Sequence, residues 1–424
     1  MLKAWFAIPL WQRVIAALIL GGITGYIWGP GAESIKIIGD IFIDFIKMLI
    51  VPLIFFSVVS GIASIGTIGR LGSVGWRAIL LFVITGQVAV WLGLALGTWF
   101  QPGVGIDTTG LPLAEIAEAA PFDWREMLRS MIPVSPVAVM ADVRVLPLIV
   151  FSVMVGNGIL LARSDEEEDE EANRRGVIAA TARAFDAGAF IFQKITMLVM
   201  ELTPFGVFAL IAWVVGTLGL DAVTALAKLV GMNYLGCLLI IGVMYVGILK
   251  FIARVSIIGF FRGMVDAIAV AYSTASSSAT LPVTLRCTQR NLGVSPSVSS
   301  FVVSLGATIN MNGTAMYLGL VTLFAAQMFN VDLSVADYLI IALLATFGSI
   351  GAAGIPGAGL VMMGGIFVAV QVPLEAIAFV AGVDRIMDMM RTTTNVSGDA
   401  AVATTVAALT GEIDREEMIS ADDV

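Results

Sequence analysis

The stretch DRIMDMMRTTTNVSGD, residues 384–399, decides the fold of this chain. It interrupts an apolar segment with polar residues at spacings of 4, 3, 4 and 4, namely Asp384, Asp388, Arg391, Asn395 and Asp399. That spacing places all of them on one face of an α-helix. Ionisable groups in a membrane-spanning helix are costly and face a cavity or one another. The stretch therefore predicts a spanning helix with a polar site along one side.

The groups on this face complement a small charged solute. Arg391 offers a bidentate fork for a carboxylate, Asp388 an acceptor for an ammonium, and the other oxygens suit a cation. A plainer alternative is that Arg391 only pairs with Asp388, three residues earlier. Arg385 lies off the stripe, and we expect it either to reach the membrane interface or to contact Asp388.

The composition of the whole chain requires lipid. Of its 424 residues, 58% are hydrophobic and 13% charged, and the mean hydropathy is +0.97, whereas a soluble domain has roughly 45–50% apolar residues. At about 20 residues per span, the apolar stretches allow about eight spanning helices. Hydropathy and Gly, Pro or charged boundaries predict the first six near residues 12–29, 36–63, 75–100, 135–162, 187–218 and 224–252. We interpret the first apolar run as a span and not as a cleaved signal peptide.

The charges indicate orientation and exclude several functions. The net charge is −9, and a run of acids at 165–171 accounts for most of it, so the pattern indicates a solvated loop and no nucleic-acid surface. With no His and only Cys237 and Cys287, thiol, His-metal and triad chemistry are unsupported, and we expect no enzyme. Basic residues on alternate connections predict a cytoplasmic N-terminus; they are Arg70, Arg77, Arg163, Arg174, Arg175, Lys250, Arg254 and Arg262.

Two apolar segments of the C-terminal half are broken in the middle. The first carries SSSATLP (276–282) between basic flanks, which predicts a re-entrant hairpin from the cytoplasmic side, here called hairpin 1. The second, 335–370, is broken at GAAGIPGAG (351–359) and lacks Lys and Arg at its flanks, so hairpin 2 is predicted to enter from outside. Opposed hairpins, each followed by a span, indicate an inverted repeat.

A third break, GATINMNGT (306–314), lies inside the apolar stretch 298–329. Asn and Gly in an intact helix cost stability, so we predict an unwound turn whose carbonyls face a cation. Irregular backbone at membrane depth is tolerated where it lines a cavity, and helix ends there attract a carboxylate. The alternatives are close helix packing by small residues and a polar patch that bonds a neighbouring helix.

Four motifs in order closely resemble the glutamate/aspartate transporter family of dicarboxylate/amino acid:cation symporters, which includes the excitatory amino acid transporters. They are SSSATLP (276–282), NMNGT (310–314), GIPGAG (354–359) and DRIMDMMRTTTNVSGD (384–399), and PFGVFALIA (204–212) resembles the family's fifth helix. The resemblance implies an all-α membrane protein with eight transmembrane helices, two re-entrant hairpins and inverted repeats. It also implies an elevator-type homotrimer in the cell inner membrane, surrounded by lipid, with both termini in the cytoplasm.

The resemblance further divides the chain into a fixed scaffold and a moving transport domain. The implied segments are scaffold helices 1 and 2 (1–74), transport-domain helix 3 (75–102), scaffold helices 4 and 5 with an acidic loop at 163–175 (103–222), the remaining transport domain with helices 6, 7 and 8 and both hairpins (223–412), and a cytoplasmic tail (413–424).

Site residues follow from the same resemblance, position by position. Arg391 and Thr314 are expected to hold the side-chain carboxylate of the substrate, Asp388 its amino group, and Asn395 with the Ser277 backbone its α-carboxylate. The full implied substrate set is Ser277, Ser278, Thr314, Ile355, Gly359, Asp388, Arg391, Thr392 and Asn395. One implied sodium site uses Gly306, Asn310, Asn395 and Asp399, and a second uses Thr308, Met311, Ser349, Ile350 and Ala352.

The sequence departs from the family at a third sodium site and at one arginine. The third site needs an Asp where this chain has Asn312, and a phenol and a serine where it has Phe82 and Gly86, which leaves Thr85 and Asn310. We therefore expect coupling to fewer Na⁺ ions, or to H⁺ instead or in addition, because an amide carries no charge to offset the ion. Family members also place an Arg where this chain has Ala275 or Met389. Arg385 is the candidate replacement.

The leading hypothesis is cation-coupled uptake of glutamate or aspartate. A C4-dicarboxylate symporter has no use for an ammonium acceptor at Asp388, and a neutral amino acid symporter, for serine or threonine, leaves Arg391 without a purpose. From other classes, an intramembrane hydrolase lacks His and an evident Ser-Lys pair, and a channel predicts current without accumulation of substrate.

Overall fold

A computed structural model describes residues 8–65, 73–106, 129, 132–168, 176–350, 354 and 356–419. These residues form sixteen α-helices and no β-strand, apart from one isolated bridge between Val294 and Ile413, so the all-α prediction is confirmed. In chain order the helices are α1 (Leu10–Trp28), α2 (Lys36–Ile65), α3 (Ser73–Phe100), α4 (Pro136–Ala141), α5 (Val145–Glu168), α6 (Val177–Met200), α7 (Thr203–Leu218), α8 (Leu220–Leu239), α9 (Ile257–Gly263), α10 (Val265–Thr274), α11 (Ser277–Arg286), α12 (Pro296–Ile309), α13 (Asn312–Met328), α14 (Val335–Ile350), α15 (Ala358–Ala369) and α16 (Ala376–Thr410).

The apolar helices agree with the predicted spans, with two differences. Among the described residues, four helical segments are long and apolar enough to cross a membrane: Leu10–Ala63, Ser73–Phe100, Asp221–Ala253 and Pro296–Met328. Two bent pairs of helices, α6 with α7 and α9 with α10, raise the number to six when each pair counts as one span. The predicted span 187–218 is bent by 52° between α6 and α7, just before Pro204. The predicted span 135–162 is interrupted between α4 and α5. The total of eight spans stays a prediction.

One group of helices is built from α1, α2, α5, α6 and α7. Glycines let α1 approach α7 closely, since a Cβ at Gly25 would collide with the Ala212 carbonyl oxygen. Arg13 of α1 pairs with Glu201, at the bend between α6 and α7, with Nη1 and Oε2 2.7 Å apart. Phenylalanine rings join α2 to α5 and α6, with Phe55 and Phe151 stacked at 5.9 Å.

A second group surrounds α16, whose residues are nearly all buried. It contains α3, α8 and α10 to α15. Helix α3 crosses α13 where Gly93 faces the Met316 carbonyl, and Gln327 Nε2 donates to the Gly97 carbonyl at 2.8 Å. The two groups meet along a limited set of contacts, among them the Trp213 and Phe379 rings, 5.6 Å apart.

Each of the two predicted hairpins folds as two helices that pack against each other. In hairpin 1, α10 ends before Ala275, whose φ is +50°, and Ser276 caps α11 by accepting from the Ala279 amide at 3.1 Å. Arg286 and Asp266 close its base with a 2.7 Å ion pair. In hairpin 2, α14 and α15 flank a tip of which residues 351–353 and 355 lie outside the described part. The side from which each hairpin enters the membrane stays a prediction.

The third break is narrower than the motif that predicted it. Helix α12 continues through Ile309 and α13 begins at Asn312, so only Asn310 and Met311 leave the helical conformation, with ψ of 68° and 54°. The unwound turn is present, and Gly306 to Ile309 remain helical.

Candidate functional site

The guanidinium of Arg391 is the centre of the polar stripe on α16. It is fully buried, with Nη1 3.0 Å from Asp384 Oδ1 and Nη2 2.8 Å from Asp388 Oδ1. Its plane lies over the Tyr317 ring, with 3.7 Å from the guanidinium carbon to the ring centroid. The pairing with Asp388 is therefore real, and Asp384 is a second partner. These two carboxylates offset a charge that would otherwise be costly to bury.

Hairpin 2 is attached to this stripe by its backbone. The amide of Gly357 donates to Asp388 Oδ2 at 3.0 Å, so both oxygens of Asp388 have partners. The φ of Gly357 is +78°, in the left-handed region that glycine adopts without strain. Two residues later, a Cβ at Gly359 would lie 3.0 Å from Arg391 Nη1, so this glycine allows α15 to approach the guanidinium.

The tips of the two hairpins meet each other. The Gly354 carbonyl accepts from the Ser278 amide at 3.1 Å and from Ser276 Oγ at 2.9 Å. Ser277, the first residue of α11, is buried beside this contact. The serine motif and the glycine motif thus close over α16 from two sides. Ile355, predicted to contact substrate, lies outside the described residues.

The turn between α12 and α13 contacts the stripe further along α16. Asn395 Oδ1 accepts from the Gly313 amide at 2.7 Å, and Asn395 Nδ2 donates to Thr314 Oγ1 at 3.3 Å. Thr392 is buried on the same helix. The structure therefore brings Thr314 to Asn395, which shares a face of α16 with Arg391.

Three of the four residues of the first predicted cation site come together, namely Gly306, Asn310 and Asp399, whereas Asn395 bonds to Gly313 and Thr314. Asp399 is 1% exposed, and its Oδ1 accepts from Asn310 Nδ2 at 3.0 Å. Gly306 lies against this carboxylate, since a Cβ there would be 2.5 Å from Asp399 Oδ1. Asn310 Oδ1 is buried without a hydrogen-bond partner among the described residues. A carboxylate and an amide oxygen are ligands that hard cations prefer, whereas the Gly306 carbonyl accepts from the Asn310 amide at 2.8 Å.

The second predicted cation site is described only in part. Thr308 Oγ1 donates to the Leu305 carbonyl at 3.0 Å, and Ser349 Oγ donates to the Thr346 carbonyl at 2.8 Å. Both hydroxyls are thus occupied by their own helices, and the Met311 carbonyl accepts from the Ala315 amide at 2.8 Å. Met311 is buried in the unwound turn, the side chain of Ile350 and all of Ala352 lie outside the described part, and the site stays a prediction.

An amide and a phenol occupy the place of the third sodium site. Asn312 Nδ2 donates to Tyr245 Oη at 2.9 Å. Thr85 Oγ1 donates to the Leu81 carbonyl of its own helix at 2.8 Å, and Phe82 and Gly86 supply no side-chain oxygen. Tyr245 was not identified from the sequence. The predicted span 224–252 contains it together with Tyr234, so the sequence did not single it out.

Arg385 is buried and bonds to hairpin 1. It is 8% exposed, and its Nη2 donates to the Thr274 carbonyl of hairpin 1 at 3.0 Å. The orphan carbonyls at the C-terminal end of α10 explain this contact, because a helix leaves its last carbonyls without partners inside the helix. Arg385, the candidate replacement for the family's arginine, thus lies between the stripe and the tip of hairpin 1.

Gly313→Ala is expected to disrupt the crossing of α13 over α16. A Cβ at this position would lie 2.5 Å from the Arg391 carbonyl oxygen and 2.9 Å from its Cα, both backbone atoms that cannot rotate away. Overpacking of this kind lowers the free energy of unfolding by about 1–3 kcal/mol. We expect a lower unfolding temperature in detergent and loss of substrate binding. Gly86→Ala is the control, because its nearest atom would be 3.6 Å away; equal behaviour of the two variants would contradict the prediction.

Helical hairpins that meet over a buried, charged helix in an apolar bundle define a multi-pass membrane transport protein. The sequence model of the sodium:dicarboxylate symporter family matches residues 10–409. The chain is 33% identical to the proton/glutamate-aspartate symporter of Escherichia coli K12, over 97% of this chain and 94% of that protein. It is 32% identical to the C4-dicarboxylate transport protein of Bacillus subtilis 168 (96% and 95%) and 34% identical to C4-dicarboxylate transport protein 1 of Bradyrhizobium sp. ORS 278 (98% and 92%). The chain belongs to the sodium:dicarboxylate symporter family.

Proposed function

We propose that the protein is a secondary active symporter for acidic amino acids, glutamate or aspartate, driven by a sodium gradient, a proton gradient or both. The observation that supports this most is the buried Arg391 at the place where both hairpins reach α16. A guanidinium at such depth is retained for recognition of an anion, because it is expensive and requires two carboxylates to offset it.

The same geometry supports a link between substrate binding and hairpin closure. A substrate carboxylate at Arg391 competes with Asp388 for Nη2, and a substrate ammonium at Asp388 competes with the Gly357 amide for Oδ2. Occupation of the site therefore changes the bonds that hold hairpin 2 on α16. Ser276, Ser278 and Gly354 then hold the two tips together or release them.

Asp399 supports the coupling part of the proposal. Within the described part of the chain, this buried carboxylate has an amide as its hydrogen-bond partner and forms no ion pair. A cation beside Asp399 would neutralise it and stabilise the turn at Asn310. The amide–phenol pair of Asn312 and Tyr245 supports a coupling scheme with fewer than three Na⁺ ions.

The two packed groups of helices support an elevator mechanism. In this proposal α1, α2 and α4 to α7 form the scaffold of a homotrimer, and α3 with α8 to α16 form the transport domain. Eight spans and cytoplasmic termini belong to the same proposal. The limited contact between the groups, as at Trp213 and Phe379, suits sliding of one group along the other.

C4-dicarboxylate symport is the second candidate. Relatives named for that activity are as similar to this chain as the one named for glutamate and aspartate. The objection that a dicarboxylate leaves Asp388 unused is weakened, because Arg391 and Gly357 already engage both of its oxygens. A neutral amino acid, in contrast, has no side-chain carboxylate for Arg391.

Proteoliposomes with sodium and pH gradients imposed separately test the function. We expect labelled aspartate to accumulate above its external concentration under at least one gradient and to equilibrate when the gradient is collapsed. Accumulation under a pH gradient alone would identify H⁺ as the driving ion. Equilibration without accumulation under both gradients would indicate a channel and refute the symporter.

A further inference from the structure

Arg385 has hydrogen-bond donors that the described part of the chain leaves unused. Its Nη2 bonds to the Thr274 carbonyl, whereas its Nε and Nη1 are buried and have no hydrogen-bond partner among the described residues. The side chain is 8% exposed. Buried donors in native proteins are normally satisfied, so each exception calls for an explanation.

The position of these donors relates them to the substrate site. Arg385 follows Asp384 and precedes Asp388 by three residues on α16, and Thr274 lies two residues before the serine that bonds to hairpin 2. The guanidinium therefore lies between the stripe and the tip of hairpin 1. Asp388, where the proposed substrate would also bind, lies within one helical turn of Arg385, and Arg391 lies six residues, about 9 Å along the axis, from it.

The charges of the neighbouring buried side chains indicate which kind of substrate group can accept from these Arg385 donors. Asp384, Asp388, Arg385 and Arg391 together carry no net charge, and Arg391 already engages both carboxylates. A guanidinium donates hydrogen bonds and accepts none, and an ammonium does the same. An ammonium on the substrate thus cannot satisfy Arg385, but a carboxylate, hydroxyl or oxo oxygen can.

We propose that Arg385 is a specificity-determining residue that binds an acceptor oxygen of the substrate and thereby admits C4-dicarboxylates without an amino group. With Arg385 present, the site accepts succinate and its 2-hydroxy and 2-oxo relatives beside acidic amino acids. Without Arg385, the four-residue set has a net negative charge. A substrate then needs an ammonium group beside Asp388 to offset that charge. This inference rests on the proposed function and deepens it.

The test compares two substrates in the purified protein. Binding of aspartate and of succinate is measured by titration calorimetry for the wild type, Arg385→Gln, Arg385→Lys and the control Arg286→Gln. Arg286 lies at the base of the same hairpin in an exposed ion pair with Asp266. We expect Arg385→Gln to weaken succinate relative to aspartate at least tenfold, Arg385→Lys to shift the ratio less, and Arg286→Gln to leave it unchanged.

The ratio of the two affinities distinguishes a role in specificity from a structural role, because a destabilised fold lowers the affinity for both substrates by the same factor. An equal loss for both substrates in Arg385→Gln, or an unchanged ratio, overturns the proposal. If Arg385→Gln elutes as an aggregate, Arg385→Lys decides: a ratio within twofold of the wild type overturns it. If the wild-type protein binds aspartate but not succinate, the proposed role of Arg385 is refuted and the proposed function stands. If it binds neither substrate, the proposed function is refuted.

Discussion

Replacement of Arg391 by lysine is expected to weaken binding of acidic substrates about 100-fold while the protein remains folded. Lysine keeps the charge that offsets Asp384 and Asp388, but it loses the planar fork that can engage a carboxylate with two parallel bonds. A hydrogen bond to a charged group contributes about 1.5–3 kcal/mol, and 1.4 kcal/mol is tenfold in affinity. Isothermal titration with aspartate, beside uptake in proteoliposomes, measures the effect.

Arg391→Ala serves as the more drastic comparison. It leaves two buried carboxylates without their cation, and breaking such a buried pair costs about 3–5 kcal/mol. We expect a marked drop in the unfolding temperature, which Arg391→Lys does not show. Unchanged aspartate affinity in Arg391→Lys would contradict the assignment of this residue to substrate binding, and an unchanged unfolding temperature in Arg391→Ala would contradict its structural pairing.

Asp399→Asn is expected to abolish gradient-driven accumulation. The amide keeps the shape of the side chain and its contact with Asn310, but it carries no charge with which to attract a cation. We expect at least about a 30-fold loss of cation-stimulated aspartate binding, equivalent to about 2 kcal/mol for a charged ligand. Aspartate affinity measured across a sodium titration, and then across a pH titration, identifies which ion depends on this residue.

Asp221→Asn is the matched control for this prediction. Asp221 is an exposed acid in the first turn of α8, so we expect both titrations to resemble those of the wild type. Retention of full cation dependence in Asp399→Asn would show that the cation binds elsewhere. The backbone set around Met311 would then become the leading candidate.

Much of the fold was predictable because membrane insertion imposes strong rules on sequence. The first break lies at Ala275 and Ser276, while residues 277–282 of the predicted segment, with Pro282, belong to α11. Helix α14 ends at Ile350 and α15 begins at Ala358, so the second break falls within 351–359, where glycine and proline predicted it. The stripe on α16 was predictable from helical periodicity alone. The bend between α6 and α7 was missed, although Pro204 was the local signal for it.

The sequence by itself determined an apolar helical bundle, the positions of its breaks and the residues that share the face of α16, because each depends on neighbours within a few turns. Tertiary structure alone decided which partners those residues have. Ser276 bonds to Gly354 across 78 residues and Asn312 bonds to Tyr245 across 67, and Arg385 reaches hairpin 1 instead of Asp388. Such pairs follow from how whole helices pack, and a donor or acceptor buried in the bundle bonds to whatever group the packing brings beside it.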